Sequence, residues 1–303
     1  MKKRHWALIW ALVAVISVGA VYYFGFYLRQ SDQILLVGGS STVMRYASAL
    51  GDGLMKQRGD ITVVSEGGGS TPALIAIKNQ AIDVAVVSRE LTDDEDDEYT
   101  SSNLIARDAI GFFVSPDNPV KNLTSDQLRT VFTGEVHNWS QLGGADKPVH
   151  IVVCGPETKS SEALSELLLD GAEVDGAADI AENEASVQSQ VAADPSAIGC
   201  AMYLSEPESV RALSVNGVPL SRETVLSDRY PLSRSVFLVI HDLAAPERDD
   251  NFSGLRQFVR FFNGDDEQSL EVRRADAIRS YVTFATSSEG QAIVEAQGAL
   301  RVN

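Results

Sequence analysis

Two short runs of glycine and hydroxyl residues in the first third of the chain have the types and spacing to bind an anion. Ser40-Ser41-Thr42 follows two glycines, and Ser70-Thr71-Pro72 follows the three glycines at 67–69. Glycines turn the backbone through positive φ at little cost, and a helix that starts after such a turn presents free N–H groups at its positive end. These groups predict an anion site, although ordinary helix capping by the hydroxyls is the simpler alternative.

The segments around these runs predict the elements that position them. Apolar strands are expected at 34–37 and 61–64, each followed by one run and then by apolar residues at helical spacing (43–54 and 73–77). Two consecutive strand–turn–helix units indicate parallel strands in an open α/β sheet. In such sheets ligands bind at the carboxyl ends of the strands, where both runs lie.

A third strand, expected at 82–87, ends on Ser88 and Arg89 at the same edge. Arg89 is either a ligand of the anion or the partner of Glu90, Glu66 or an acid in the run 93–98. The acidic run 92–99 is interpreted as a helix start, because it lacks the glycine and the final glutamate of a calcium loop. Separate strands are expected at 104–106 and 110–114.

Charge and length restrict the function further. The 303 residues suffice for one large or two medium domains, and 42 acidic against 25 basic residues give a net charge of −17. This balance excludes nucleic acids and anionic lipid surfaces as partners, since these require clustered lysine and arginine. An anionic ligand must therefore be held by local donors.

The N-terminus predicts a membrane segment. Lys2-Lys3-Arg4 precedes an apolar run at 6–28 that is long enough to span a bilayer, with the remaining chain outside the cytoplasm. A signal peptide cleaved near 19–20 is the alternative. An uncleaved anchor over 1–30 is favoured because aromatic residues continue to Tyr27. The absence of a cysteine near residue 20 argues against a lipoprotein.

The sequence contains little that would indicate a metal site or an enzyme active site. The four histidines are scattered, and Cys154 and Cys200 suit two buried thiols better than a disulfide. The chain contains neither a Gly-x-Ser-x-Gly elbow nor a Gly-Lys-Ser/Thr phosphate loop. We therefore expect a binding protein with no catalytic residues, no metal and no cofactor. Trp139 is expected to pack under its loop, and Asp83 to be a structural carboxylate.

Seven motifs in series resemble those of the PstS-like phosphate-binding proteins of ABC transporters, a branch of the type II periplasmic binding proteins. They are GGSSTV (38–43), EGGGSTPAL (66–74), IDVAVVSREL (82–91), NLTSDQLRTVFTGEVHNWSQLGG (122–144), AIGCAMYL (197–204), YPLSRSVFLVI (230–240) and SSEGQAIVEAQG (287–298). The resemblance covers nearly everything after residue 33.

The resemblance implies two α/β lobes joined by a hinge, with lobe I at 33–112 plus 205–303 and lobe II at 113–204. It implies that phosphate or a similar tetrahedral oxyanion binds between them, with an ABC permease as partner. The implied ligands in lobe I are Ser40, Ser41, Thr42, Gly69, Ser70, Thr71, Ser88 and Arg89.

The third helix start departs from the family pattern, which is an arginine followed by a Gly-Ser-Gly-Thr segment. Cys154 stands in place of the arginine, and Glu157 and Lys159 stand in place of the glycines. Thr158, Lys159 and Ser160 remain candidate ligands, but a thiol cannot replace a bidentate guanidinium. An alternative function follows: a degenerate binding domain that acts as a membrane-tethered sensor or scaffold for a protein partner.

Overall fold

The computed structural model describes residues 33–205, 208–242 and 267–302. The predicted membrane segment at 6–28 lies outside these residues. Across the described ranges, no helix is both long enough and apolar enough to cross a membrane.

The described chain alternates strands and helices. The strands are β1 (Gln33–Gly39), β2 (Ile61–Gly67), β3 (Val84–Val87), β4 (Thr100–Val114), β5 (Asn122–Leu123), β6 (His150–Cys154), β7 (Asp179–Ala181), β8 (Ala197–Met202), β9 (Arg211–Ala212), β10 (Ser214–Val215) and β11 (Ser233–His241). The helices are α1 (Met44–Gln57), α2 (Ser70–Lys78), α3 (Ser125–Phe132), α4 (Lys159–Leu164), α5 (Glu184–Ala193), α6 (Arg222–Leu226), α7 (Glu267–Thr286) and α8 (Ser288–Ala296), with a 3-10 turn at Trp139–Leu142 and a π turn at Ser165–Leu169.

One large mixed sheet organises the fold, in the order β2-β1-β3-β11-β4-β8-β6-β7, with β9 beside β4. Strand β1 is parallel to both β2 and β3, as the strand–turn–helix units predict. Strand β11 is antiparallel to β3 and to β4. The α/β class predicted from the sequence is therefore confirmed.

Strand β4 joins the two halves of this sheet. Its first part pairs with β11, and Ile110–Val114 pairs with β8. The expectation of two separate strands here is wrong, because Arg107 and Asp108 do not interrupt the strand. Asp108 pairs with the buried Arg234, and Arg107, itself largely buried, pairs with the exposed Asp228, so both charges are compensated.

Within the described ranges, buried hydrophobic residues form two large cores, one on each part of the sheet, and a smaller cluster that contains Leu74, Ile77 and Phe237. The first contains Leu35, Leu50 and Tyr281 and lies between the sheet and the helices α1, α7 and α8. The second contains Phe112 and Tyr230, with β4, β6, β8 and their helices around it. Two cores that share one long strand are compatible with two lobes; the lobe boundaries given above remain a prediction.

Two of the predictions about single residues are confirmed, and the prediction for the acidic run is wrong. Trp139 is buried and donates from Nε1 to the Ser196 carbonyl at 2.8 Å, which confirms that it packs under its loop. Asp83 is buried and accepts from the Leu36 amide at 2.6 Å, which confirms a structural carboxylate. The helix expected at the acidic run is wrong. This segment forms turns instead, because its carboxylates pair with Lys78 and Arg89 from other elements.

Candidate functional site

The hydroxyls of the first glycine and hydroxyl run, at residues 40–42, do not cap the helix that follows them. Helix α1 begins at Met44 with Val43 as N-cap, and no side chain in the described part of the chain caps it. The Ser40 and Thr42 hydroxyls lie 3.0 Å apart and contact each other instead. The capping alternative is therefore wrong for this run, and both hydroxyls stand near the positive end of a 14-residue helix.

The second run is tied to the first through the backbone. The amides of Gly68 and Gly69 donate to the Gly39 carbonyl at 2.7 and 2.9 Å, so these N–H groups are already paired. Of the three glycines only Gly69 has a positive φ, 96°, so the predicted turn through positive φ is made at this residue. Gly67 instead allows close packing, since a Cβ there would lie 2.6 Å from the Ser41 hydroxyl.

The residues after β3 lie beside the start of α2, and the structure thereby brings four predicted ligands together. The Ser88 amide lies 3.5 Å from the Ser70 hydroxyl, and Arg89 Nη2 donates to the Thr71 hydroxyl at 3.3 Å. The Arg89 guanidinium also binds both carboxylate oxygens of Glu95, at 2.7 and 2.8 Å. This pairing holds the pKa of Glu95 down at about 2. Among the alternatives above, the structure thus gives Arg89 an acid of the run 93–98 as partner.

At the third helix start, the side chains of the candidate ligands already make hydrogen bonds within the protein or are buried. Thr158 caps α4 by accepting from the Ser161 amide, and its hydroxyl donates to the Gly155 carbonyl at 2.8 Å. Ser160 is fully buried. Lys159 crosses to the C-terminal end of α8, where Nζ donates to the Ala296 carbonyl at 3.4 Å. Burial, followed by the nearby Arg45 charge, lowers the pKa of Lys159.

A group of charged residues that the sequence analysis did not select lies between the first and third helix starts. Arg234 on β11 stands directly opposite Asp108 on β4 in the strand register. Arg234 Nε and Nη2 donate to the two Asp108 oxygens at 2.8 and 3.1 Å. Asp108 is 0% exposed and Arg234 is 5% exposed, so this is a buried bidentate pair.

Arg45, in the first turn of α1, extends the group. Its Nη2 lies 3.2 Å from Asp108, and its Nη1 donates to Glu162 on α4 at 2.8 Å. Tyr46 donates its hydroxyl to the same Asp108 carboxylate at 2.5 Å. Burial, reinforced by the Asp108 charge, raises the pKa of Tyr46. Asp108 is therefore the common acceptor for three buried or half-buried donors.

Glu166 completes the group from the opposite side. It lies in the π turn after α4, and its Oε1 accepts from the Thr42 hydroxyl at 3.1 Å. Its other oxygen accepts from Arg234 Nη1. The acidic side chains of the α4 segment thus contact the hydroxyl and guanidinium donors beside β1 and β11.

The sequence contains an indication that Arg234 and Asp108 are important. Both are charged residues within apolar strand segments, and buried charges in proteins are nearly always paired or functional. Arg234 also lies inside the YPLSRSVFLVI motif. Glu162 and Glu166 carry no such signal, because acidic residues at a spacing of four on a helix ordinarily face solvent.

A separate cavity of about 370 Å³ lies beside the glycine turn. Its lining is mainly apolar, with Leu36, Val64 and Ile82, and Glu66 is its charged residue. An apolar cavity with one carboxylate does not suit an anion, so the charged group above is the better candidate site. Across the described residues, no cluster of His, Cys, Asp or Glu is arranged to hold a metal ion.

Comparison with known proteins agrees with this architecture. The family model of the PBP superfamily domain matches residues 29–266. Phosphate-binding protein PstS of Borreliella burgdorferi is 24% identical over 288 residues, covering 90% of this chain and 92% of that protein. Phosphate-binding protein PstS of Bacillus subtilis is 29% identical over 203 residues, covering 65% and 67%. The crystal structure of PstS from Borrelia burgdorferi superposes with a TM-score of 0.62 at 23% identity, covering 90% of this chain and 100% of that one.

The class of protein follows from the family match, and the α/β sheet with its two helix starts agrees with it. The chain belongs to the PBP superfamily, and it resembles the PstS proteins within it.

Proposed function

We propose that this protein captures inorganic phosphate, or a similar tetrahedral oxyanion, between its two lobes and delivers it to an ABC transporter permease. The observation that carries the proposal is the convergence of the Thr42 hydroxyl and the buried Arg234 guanidinium, which both donate to Glu166. The Ser40 hydroxyl contacts that of Thr42, and neither of them caps helix α1. Hydroxyl donors and a guanidinium at the positive end of a helix are the groups that bind oxyanions. The similarity to proteins named phosphate-binding protein PstS supports the same ligand.

The residues take distinct roles in this proposal. Ser40, Ser41 and Thr42 at the first start, with Ser70 and Thr71 at the second, provide donors from lobe I, and Ser88 and Arg89 lie beside them. Gly69, whose amide donates to the Gly39 carbonyl, forms the turn that places Ser70 and Thr71. The proposed ligands from lobe II are Thr158, Lys159 and Ser160. In the structure Thr158 contacts Gly155 and Ser160, and Lys159 contacts Ala296, so these groups must exchange their present contacts for the anion. Closure of the lobes would remove the anion from water. Each charged hydrogen bond to it is stronger inside the closed protein than in water. The protein acts by binding rather than by catalysis, and it requires no cofactor.

The resemblance and the apolar segment at 6–28 support a location outside the cytoplasm, with residues 1–30 as a single membrane anchor. If the leader is cleaved, the mature protein is released into the same compartment. Mass spectrometry of the mature N-terminus distinguishes the two, since a start near residue 20 excludes anchoring by this segment.

A second candidate function is a sensor or scaffold that recognises a protein and has lost anion binding. The contact of Glu166 with Thr42 and Arg234 favours it, because a carboxylate occupies donors that an anion would use. Cys154 in place of the arginine at the third start points in the same direction.

Titration calorimetry of the full chain with phosphate, sulfate and arsenate separates the two candidates. The proposed function predicts phosphate binding that weakens roughly tenfold or more in Thr42→Val, since a hydrogen bond to a charged group contributes about 1.5–3 kcal/mol. Thr283→Val, at an exposed position of α7, is the matched control and should bind as the wild type does. A folded wild type that binds no phosphate at millimolar concentration would overturn the proposal.

A further inference from the structure

We infer that Glu166 is an internal competitor for the anion, whose carboxylate holds the lobes together until an incoming oxyanion displaces it. The inference rests on the proposed function and concerns the regulation of that same site. It names a residue that sets the affinity of the protein for its ligand.

The position of Glu166 suits this role. It follows α4 in the π turn Ser165–Leu169, four residues after Glu162, so the two carboxylates lie on the same side of the helical segment. Glu162 binds Arg45 at 2.8 Å, and Glu166 binds Thr42 and Arg234. A π turn inside a helix is unusual and often marks a functional site. Two adjacent carboxylates therefore close on the donors of the first helix start.

The buried guanidinium of Arg234 explains why an anion is required at this point. Its Nε and Nη2 are taken by Asp108, and its Nη1 donates to Glu166. A guanidinium that is 5% exposed cannot leave an N–H unpaired without a large cost. Either Glu166 or a bound anion must therefore accept from Nη1.

The charges of the group restrict how an anion can enter. Arg45 and Arg234 carry two positive charges, whereas Asp108, Glu162 and Glu166 carry three negative ones, so the group has one negative charge in excess. An added oxyanion is repelled unless Glu166 leaves, and Glu166 accepts from the same Thr42 hydroxyl that is proposed to bind phosphate. A tethered carboxylate and a free oxyanion thus require the same two donors, and they exclude each other.

The consequence for affinity follows from mass action. The apparent dissociation constant is the intrinsic one divided by the fraction of molecules in which Glu166 has left its donors. Removal of the carboxylate raises this fraction, so phosphate binds more tightly. Because the contact also joins segments on the two sides of the site, its removal lets the lobes separate when phosphate is absent.

Glu166→Gln keeps the shape of the side chain and removes its charge, whereas Glu166→Ala removes the contact altogether. We expect calorimetry of the full chain to give a phosphate affinity at least about tenfold higher in both variants than in the wild type. Glu182→Gln removes one exposed carboxylate elsewhere and should leave the affinity unchanged. Equal or weaker binding in both Glu166 variants would overturn the inference, since it would make Glu166 a ligand of the anion or an indifferent neighbour.

A second measurement does not depend on phosphate. Spin labels at Lys56→Cys and Glu173→Cys, both exposed positions on the two sides of the site, report the distance between the lobes. Without phosphate this distance should increase in Glu166→Ala, and an unchanged distance would contradict the inference. If the distance increases but no variant binds phosphate, the proposed function fails and the contact stands. If the wild type binds phosphate and the Glu166 variants bind no more tightly, the proposed function stands and the inference fails.

Discussion

Arg234 and Asp108 stand opposite each other on antiparallel strands, joined by two parallel hydrogen bonds of 2.8 and 3.1 Å. Asp108 lies where β4 passes from pairing with β11 to pairing with β8. The pair therefore lies at the junction of the two parts of the sheet. Because Arg45 and Tyr46 donate to the same carboxylate, Asp108 fixes both guanidiniums of the candidate site.

Asp108→Asn should strongly destabilise the protein. The substitution keeps the side-chain shape but leaves two guanidiniums without their shared buried counter-ion, and breaking a buried ion pair from one side costs about 3–5 kcal/mol. We expect urea denaturation to give a free energy of unfolding about 3 kcal/mol lower than that of the wild type. Asp52→Asn, at an exposed position of α1, is the control and should change it by less than about 0.5 kcal/mol. Equal effects of the two substitutions would remove the structural role assigned to Asp108.

Gly39→Ala should disrupt the sheet at the first helix start. An added Cβ would lie 2.1 Å from the Val86 carbonyl oxygen and 2.7 Å from the Val86 nitrogen. These are backbone atoms of the paired strand β3, so they cannot move aside without separating β1 from β3. We expect a loss of more than about 3 kcal/mol in the free energy of unfolding, measured by denaturation.

Gly68→Ala is the matched control for this substitution. A Cβ at Gly68 meets no described atom within 4 Å, and its φ is not in the left-handed region. Its stability should stay within about 1 kcal/mol of the wild type. A Gly39 variant as stable as the Gly68 variant would show that the close approach of the two strands is not required.

Features that depend on neighbouring residues could be predicted from the sequence, whereas contacts between distant residues could not. The parallel strands and the two glycine and hydroxyl runs could be predicted, because they depend on local periodicity and on the turn chemistry of adjacent residues. The Arg89–Glu95 pair is one of several alternatives that the sequence offers, since Glu66, Glu90 and the six acids of the run 93–98 are all candidates and only the turn geometry selects one. Glu166 could not be predicted, because its contacts with Thr42 and Arg234 join residues far apart in the chain.

Cys154 and Cys200 should both be unreactive in the native protein. Both are free and buried, and burial raises the pKa of each thiol. Since the thiolate is the reactive form, we expect labelling by a thiol reagent at pH 8 to be at least about a hundredfold slower than in the unfolded chain. Denaturant without reductant should expose two reactive thiols in each chain, which serves as the control. Failure of either thiol to react after unfolding would indicate a disulfide instead.

The Arg89–Glu95 pair should give the stability a pH dependence of defined sign. Arg89 hydrogen bonds, supported by the Thr92 amide, lower the pKa of Glu95 from 4.5 to about 2 in the folded protein. A carboxyl whose pKa is depressed on folding stabilises the protein above its unfolded pKa, and this contribution is lost as the pH falls through the folded value. The relevant range is therefore from about pH 4.5 down to about pH 2.

Glu95→Gln isolates this contribution, because other acidic groups titrate equally in variant and wild type. At pH 7 the variant should be less stable by about 1 kcal/mol, a modest value because the Arg89 side chain is 39% exposed and water screens the pair. The difference should shrink as the pH falls and disappear near pH 2, as measured by urea denaturation at several pH values. Glu90→Gln, at an exposed neighbouring position, should show no such trend. A difference that stays constant with pH would mean that the pair contributes through packing alone, and that Arg89 is not committed to Glu95 in solution.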